Sequence, residues 1–195
     1  MADKIWREKK FFPLLATQFL GAFNDNLFKN TLMVFVAYKL MADTQTVNIY
    51  ANLAAGVFIL PYFLFSAFAG LLADKYSRSK LTRILKIIEL FLMIGAGIIF
   101  LFNSPLPLIF MLFLMGLQST FFGPIKYAML PQLLKANELV AGNAYVEAST
   151  YISIILGSVL GTLLPVYASV FLLVICAVAG VVSAYKIPQV TGVQP

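Results

Sequence analysis

The residues best suited to chemistry in this chain stand close together in an otherwise apolar stretch near the N-terminus. Asp25 and Lys29 are four positions apart, so a carboxylate and an ammonium group share one face of a helix. The amide side chains of Asn24, Asn26 and Asn30 surround them. Two interpretations stay open: an internal ion pair that serves packing, or a polar lining for a central cavity. The cluster of amides favours the cavity.

Charged residues also occur in later apolar stretches. Lys126 follows the helix-bending pair Gly123-Pro124, and Glu147 lies in the next stretch along the chain. Because a hairpin places these stretches side by side, Lys126 and Glu147 either pair with each other or bind a zwitterion together. A further interpretation extends the Lys126 amine about one turn, to the aqueous boundary near Pro131.

A third set of charges has a simpler interpretation. Glu89 stands three positions after Lys86, so the two side chains are neighbours on one helical face. We expect a local ion pair at the aqueous boundary here, not part of a binding site.

Several kinds of chemistry are not expected. The chain has no histidine, which removes imidazole metal ligands and histidine-based catalytic triads. Its single cysteine, Cys176, stands among Leu, Val, Ile and Ala and is interpreted as a small buried apolar residue. No nucleophile–base or metal-ligand constellation is present, so we expect no catalytic residues, no metal, no cofactor and no enzyme activity.

The composition indicates the solvent that surrounds these residues. Of 195 residues, 61% are apolar and 11% are charged, against about half and a quarter in ordinary soluble domains. A soluble protein of this size cannot bury so much apolar surface, whereas lipid can cover it. The net charge of +6 lies mostly at the ends of apolar segments, where it orients a membrane protein and does not indicate nucleic-acid binding.

Six apolar segments approach the ~20 residues that cross a bilayer. Their approximate bounds are 11–40, 49–73, 82–102, 107–130, 143–164 and 169–186. The polar stretches 74–80 and 131–142 make longer connections on one side of the membrane. The sequence therefore predicts an all-α, polytopic membrane protein formed by one six-helix bundle over residues 1–195.

The basic residues indicate which side of the membrane the termini and connections face. Lys4, Arg7, Lys9 and Lys10 precede the first segment, the second connection is strongly basic, and Lys186 ends the last segment. The opposite side has Lys39 at most. By the positive-inside rule, both termini are expected to face the cytoplasm.

The fifth segment carries a stripe of small residues at four-residue spacing. The stripe consists of Ser149, Ser153, Gly157 and Gly161. Small residues at this spacing allow two helix backbones to approach closely in lipid, so the stripe predicts a helix-packing surface.

The connection between the second and third segments reads GLLADKYSRSK over residues 70–80. It resembles the signature loop of the major facilitator superfamily, in which a glycine and an alanine-aspartate pair precede basic residues. The positions that match this pattern are Gly70, Leu72, Ala73, Asp74, Lys75, Arg78 and Lys80. The resemblance implies that Gly70, Asp74, Lys75 and Arg78 form the conformational-switch loop. Ser77 stands where that family usually has glycine. The resemblance implies a loop that packs against the other half of a transporter and helps it change conformation.

A more specific resemblance, to the bacterial lysophospholipid transporter family of that superfamily, extends over nearly the whole chain. It is carried by segments 18–26, 123–127, 143–150 and 156–161. That family moves lysophospholipids across the bacterial inner membrane toward the cytoplasmic leaflet for reacylation. The resemblance implies alternating access, with these substrate-binding residues: Asp25, Asn26, Lys29, Lys126 and Glu147.

The resemblance also implies partners. Transporters of this superfamily have twelve helices in two six-helix halves, so these 195 residues are expected to be an N-terminal half without the C-terminal one. Membrane lipid, a lysophospholipid, and a C-terminal half or a second copy are the expected partners. An acyltransferase or acyl-activating enzyme is a further candidate, because the Phe-Asn-Asp-Asn-Leu-Phe segment is similar to members fused to such domains.

Two other functions stay open at this point. One is a general facilitator of drugs or metabolites, with the specific resemblance reflecting ancestry alone. The other is a non-transporting membrane module that anchors an acyltransferase.

Overall fold

The computed structural model describes residues 9–39, 41–102 and 104–190. Within them the chain forms six α-helices and no strand, which confirms the prediction of an all-α six-helix bundle. The helices are α1 (Phe12–Val34), α2 (Thr44–Lys75), α3 (Arg78–Phe100), α4 (Pro105–Leu133), α5 (Leu139–Leu163) and α6 (Val166–Lys186). Lys4 and Arg7 lie outside the described residues, as does the side chain of Lys39.

The predicted connection 74–80 is almost entirely helical. Only residues 76–77 separate α2 from α3. Arg78, the first residue of α3, donates from Nε to the Ala73 carbonyl and from Nη1 to the Ala128 carbonyl, both at 3.0 Å. Because this guanidinium binds carbonyls of α2 and α4, the basic segment starts a helix instead of forming an open loop.

The predicted connection 131–142 is also shorter than expected. α4 continues through Pro131 to Leu133, and the 3-10 turn Ala136–Glu138 leads directly into α5. The Glu138 carboxylate accepts a hydrogen bond from the backbone N–H of Lys135 at 2.9 Å, which stabilises this turn.

The end of α1 departs from a single continuous span. A π-helix, Phe35–Lys39, follows α1 where the sequence predicted a helix over 11–40. α2 then begins at Thr44, earlier than the predicted residue 49, because Asp43 caps it. The Thr46 N–H donates to Asp43 Oδ1 at 2.6 Å, and this hydrogen bond holds the pKa of the Asp43 carboxyl below its usual value.

The helices pack as a sequence of neighbours: α2 with α4, α4 with α3, α3 with α6, α6 with α1, and α1 with α5. The small-residue stripe of α5 lies in the last of these contacts, and its four members are buried. A Cβ added to Gly157 would lie 2.6 Å from the Phe23 carbonyl oxygen, and one on Gly161 would lie 2.6 Å from that of Leu27. The stripe therefore lets the backbones of α1 and α5 touch.

The interior has an apolar cluster toward each end of the bundle. One cluster includes Phe28, Met93 and Leu108, and the other includes Leu14 and Met129. Between them, α1, α3 and α4 carry a layer of polar side chains, hereafter the polar layer: Gln18, Asn24, Lys86, Glu89, Gln118 and Ser119. The site described next is built on this layer.

The polar layer also lowers the hydropathy of two of the helices that contribute to it, α1 and α3. Four helical segments of the described chain are long and apolar enough to cross a membrane, namely Thr44–Lys75, Pro105–Leu133, Ala136–Leu163 and Val166–Lys186. The sequence predicted six spans. α1 and α3 are less apolar because they contribute charged and amide side chains to the interior, where neighbouring helices separate these groups from lipid.

Candidate functional site

A cavity of about 380 Å³ lies between α1, α2 and α4, with side chains from α3 and α5. Four of the predicted binding residues line it: Asp25, Asn26, Lys29 and Lys126. Further polar and aromatic side chains line it as well, including Gln18, Tyr62, Gln118, Phe58 and Phe122. The cavity thus combines charged groups of both signs with apolar surface, which is the requirement for an amphipathic ligand.

Asp25 is held by a hydroxyl and not by a lysine. The Ser119 Oγ donates to Asp25 Oδ2 at 2.7 Å. Lys29 Nζ instead lies over the Phe58 ring, 4.5 Å from its centroid. Among the described residues, no ion pair of 4 Å or less joins Asp25 to Lys29, so the internal ion pair is not formed. Both charges remain available to a ligand in the cavity.

Lys126 and Glu147 do not pair with each other either. The Lys126 ammonium lies 4.9 Å from the centroid of the Tyr127 ring, and the Tyr127 hydroxyl donates to the Glu147 carboxylate. Lys126 lines the cavity. Glu147 lies beside the cavity, connected to it through Tyr127.

Lys86 and Glu89 form the predicted ion pair, but its predicted location at the aqueous boundary is wrong. Their Nζ–Oε2 distance is 2.5 Å, and the two side chains are 1% and 3% exposed. Glu89 also accepts hydrogen bonds from the amide of Asn24 at 3.1 Å and that of Gln118 at 3.3 Å. Gly21 makes room for this pair, since an added Cβ would lie 2.5 Å from Lys86 Nζ.

Sequence reasoning missed Ser119 and the depth of the Lys86–Glu89 pair. A signal for Ser119 was present, because Gln118, Ser119 and Thr120 interrupt the apolar sequence in the middle of a predicted span. Nothing in the sequence showed that the carboxylate of Asp25 and the hydroxyl of Ser119, 94 positions apart, would meet.

The four signature-loop residues lie at the α2–α3 connection. Asp74 is 3.5 Å from Arg78 Nη2, and its side chain is 71% exposed while that of Arg78 is 6% exposed. Ser77 is the N-cap of α3. Lys75 Nζ lies 5.6 Å from the centroid of the Tyr76 ring. Among the described residues, nothing lies within 4 Å of a Cβ added to Gly70.

The thiol and metal-ligand chemistry of the chain is limited. Cys176 is free and buried, which confirms its interpretation as a small apolar residue. In the part of the chain that the structure describes, no group of three or more His, Cys, Asp or Glu side chains is placed to hold a metal ion.

Comparison with known families decides the class of this protein. The model of the Major Facilitator Superfamily matches residues 14–193. The chain belongs to the Major Facilitator Superfamily. Its helices therefore form a multi-pass membrane bundle, and the six found in the described residues are consistent with one half of the superfamily fold.

Individual members of the superfamily match nearly all of this chain. It is 31% identical over 98% of its length to the lysophospholipid transporter LplT of Citrobacter koseri and to that of Salmonella heidelberg. It is 28% identical over 96% of its length to LplT of Klebsiella pneumoniae subsp. pneumoniae. The chain covers 46%, 46% and 45% of these proteins, respectively, so it spans about half the length of the curated relatives it matches. The resemblance to the lysophospholipid transporter family is confirmed.

Proposed function

We propose that this chain forms the N-terminal half of a transporter that moves lysophospholipids across the bacterial inner membrane by alternating access. The relatives that support this substrate are each named lysophospholipid transporter LplT. A second six-helix half, supplied by a C-terminal half or by a second copy, completes the cavity wall and provides the surface that meets the signature loop.

The observation that carries the proposal is a cavity whose charges are not neutralised by one another. A lysophospholipid has an anionic phosphate, often a cationic amine, and one acyl chain. The ammonium groups of Lys29 and Lys126 suit the phosphate, and the carboxylate of Asp25 suits the amine. Phe58 and Phe122 provide apolar surface beside these charges for the first part of the acyl chain.

The orientation and the subsequent reaction follow from the same proposal. The distribution of basic residues supports cytoplasmic termini. A lysophospholipid delivered to the cytoplasmic leaflet is a substrate for reacylation, so an acyltransferase with an acyl-activating enzyme is the proposed functional partner.

The test is uptake of labelled lysophosphatidylethanolamine into proteoliposomes that contain the complete gene product. Asp25→Asn and Lys126→Met are each expected to lower uptake at least tenfold, because each removes one charge that binds the head group (about 1.4 kcal/mol per factor of ten). Asp43→Asn and Lys10→Met make the same chemical changes at exposed positions outside the cavity and are expected to retain uptake.

The outcomes separate the rival functions. Uptake that survives both Asp25→Asn and Lys126→Met contradicts the site assignment while retaining the substrate. Uptake of drugs or metabolites but of no lysophospholipid indicates a general facilitator. Movement of no substrate, together with binding to an acyltransferase, indicates an anchoring module.

A further inference from the structure

The Ser119 hydroxyl lies between two acceptors. Its oxygen is 2.7 Å from Asp25 Oδ2 and 3.2 Å from Gln118 Oε1. A hydroxyl carries one hydrogen, so it donates to only one of these oxygens at a time. The carboxylate is both closer and charged, and it takes the hydrogen bond when the cavity holds no cation. Gln118 Oε1 is then an alternative acceptor at 3.2 Å. The Tyr62 side chain, which lines the same cavity, also interacts with Ser119.

Gln118 is held in position from its other end. It is 6% exposed, and its Nε2 donates to Glu89 Oε2 at 3.3 Å. Glu89 is in turn fixed by Lys86 at 2.5 Å and by Asn24 at 3.1 Å. Because the amide nitrogen of Gln118 is directed to Glu89, its carbonyl oxygen stays directed to Ser119.

A cation on Asp25 changes what the carboxylate can offer to Ser119. An ammonium group at Oδ2 competes with the hydroxyl for that oxygen, and a hydroxyl that loses its acceptor in a partly buried site opposes binding. With Gln118 Oε1 in reach, the hydroxyl hydrogen rotates about the Cβ–Oγ bond and donates there. This exchange requires no movement of the backbone.

We infer that Gln118 is a positioning residue for cation binding, acting through Ser119 as the alternative acceptor that releases Asp25 to its ligand. This inference rests on the proposed function, in which Asp25 meets the amine of the substrate. It assigns to the buried Lys86–Glu89 pair the task of orienting Gln118, and it predicts that the effect of Gln118 is specific to ligands with a cationic group.

The test uses two simple amphiphiles, dodecylammonium and dodecyl phosphate, with binding to the purified complete gene product measured by thermal shift. Gln118→Met keeps the side-chain length and removes the carbonyl acceptor. It is expected to raise the half-saturating concentration of dodecylammonium about tenfold, equivalent to about 1.4 kcal/mol, and that of dodecyl phosphate less than twofold. If Gln118→Met does not fold, Gln118→Leu makes the same comparison.

Gln18→Met is the matched control. Gln18 lines the same cavity and is 5% exposed, but its amide donates to Thr150 Oγ1 at 2.7 Å and not to the Glu89 network. Its substitution is expected to change the binding of both amphiphiles by the same factor.

A double-mutant cycle tests whether Gln118 acts through Ser119. In a Ser119→Ala background, Gln118→Met is expected to cause no further loss of dodecylammonium binding, because no hydroxyl needs an acceptor. A further loss in that background, or equal weakening for both amphiphiles, overturns the inference and reduces Gln118 to a support of Glu89. Lysophospholipid uptake is measured separately. Absence of uptake with the expected binding pattern refutes the proposed function and leaves this inference standing.

Discussion

At the scale of single residues, Lys86 and Glu89 show how much a buried charge depends on its neighbours. Their spacing predicted a pair, and the pair is present, but it lies in the interior and not at the aqueous boundary. Two amide side chains from α1 and α4 complete the environment of Glu89. Desolvation opposes burial of each ion, and the pair is tolerated because the charges and hydrogen bonds compensate for each other.

The first prediction concerns this compensation. Lys86→Met leaves a buried carboxylate without its cation and is expected to lower the free energy of unfolding in detergent by about 3–5 kcal/mol. The double variant Lys86→Met/Glu89→Gln removes both charges and is expected to recover most of that loss. Lys135→Met, at an exposed position, is the control and should change stability by less than about 0.5 kcal/mol. Equal instability of the single and double variants would contradict the compensation.

At the scale of helices, the contact between α1 and α5 shows that small residues can determine where two elements meet. The stripe on α5 was visible in the sequence, and the nearest atoms to a Cβ added at its glycines are backbone carbonyl oxygens of α1. This close contact supports α1, which carries Asp25 and Asn24, and so positions the cavity carboxylate relative to α4.

The second prediction follows from the geometry at Gly157. Gly157→Ala places a Cβ 2.6 Å from the Phe23 carbonyl oxygen, and a backbone atom cannot move aside cheaply. We expect a loss of about 1–3 kcal/mol in unfolding free energy and a lower melting temperature. Gly56→Ala, in α2, meets nothing within 4 Å and is expected to be neutral or stabilising by up to about 1 kcal/mol. Similar losses of unfolding free energy for Gly157→Ala and Gly56→Ala would show that α1 and α5 pack less tightly at Gly157 than the 2.6 Å distance indicates.

At the scale of the whole molecule, two apolar clusters enclose the polar layer between them. Gln118 donates to the Lys86–Glu89 pair, and its Oε1 lies 3.2 Å from the Ser119 oxygen, whose hydroxyl donates to Asp25 at the cavity. The same arrangement explains why α1 and α3 are the least apolar helices of a membrane bundle. The polar side chains of α1 and α3 face other helices and not lipid.

The third prediction concerns orientation in the membrane. Cys176 is the single cysteine of the chain and is buried. A Cys176→Ala variant therefore provides a cysteine-free background into which one cysteine at a time is introduced for labelling. In intact cells, an impermeant maleimide is expected to label Gln45→Cys, at the exposed start of α2, and not Lys10→Cys. Lys10→Cys should react only in inverted vesicles. The reverse pattern would contradict the assignment of cytoplasmic termini.

The amino-acid sequence by itself determined that lipid surrounds the protein, that the chain forms six helices and that α5 carries a small-residue stripe. Each of these depends on composition or on spacing within one helix. It also indicated Asp25, Lys29 and Lys126, with the amide of Asn26, as members of one polar site, since ionised side chains in an apolar segment need polar surroundings. Only the tertiary structure decided which polar atoms meet. The Ser119–Asp25 hydrogen bond and the preference of Glu147 for Tyr127 join residues on different helices, and the burial of the Lys86–Glu89 pair depends on amides of two other helices. Such partners depend on how each helix is rotated about its axis, and packing of whole apolar faces sets that rotation.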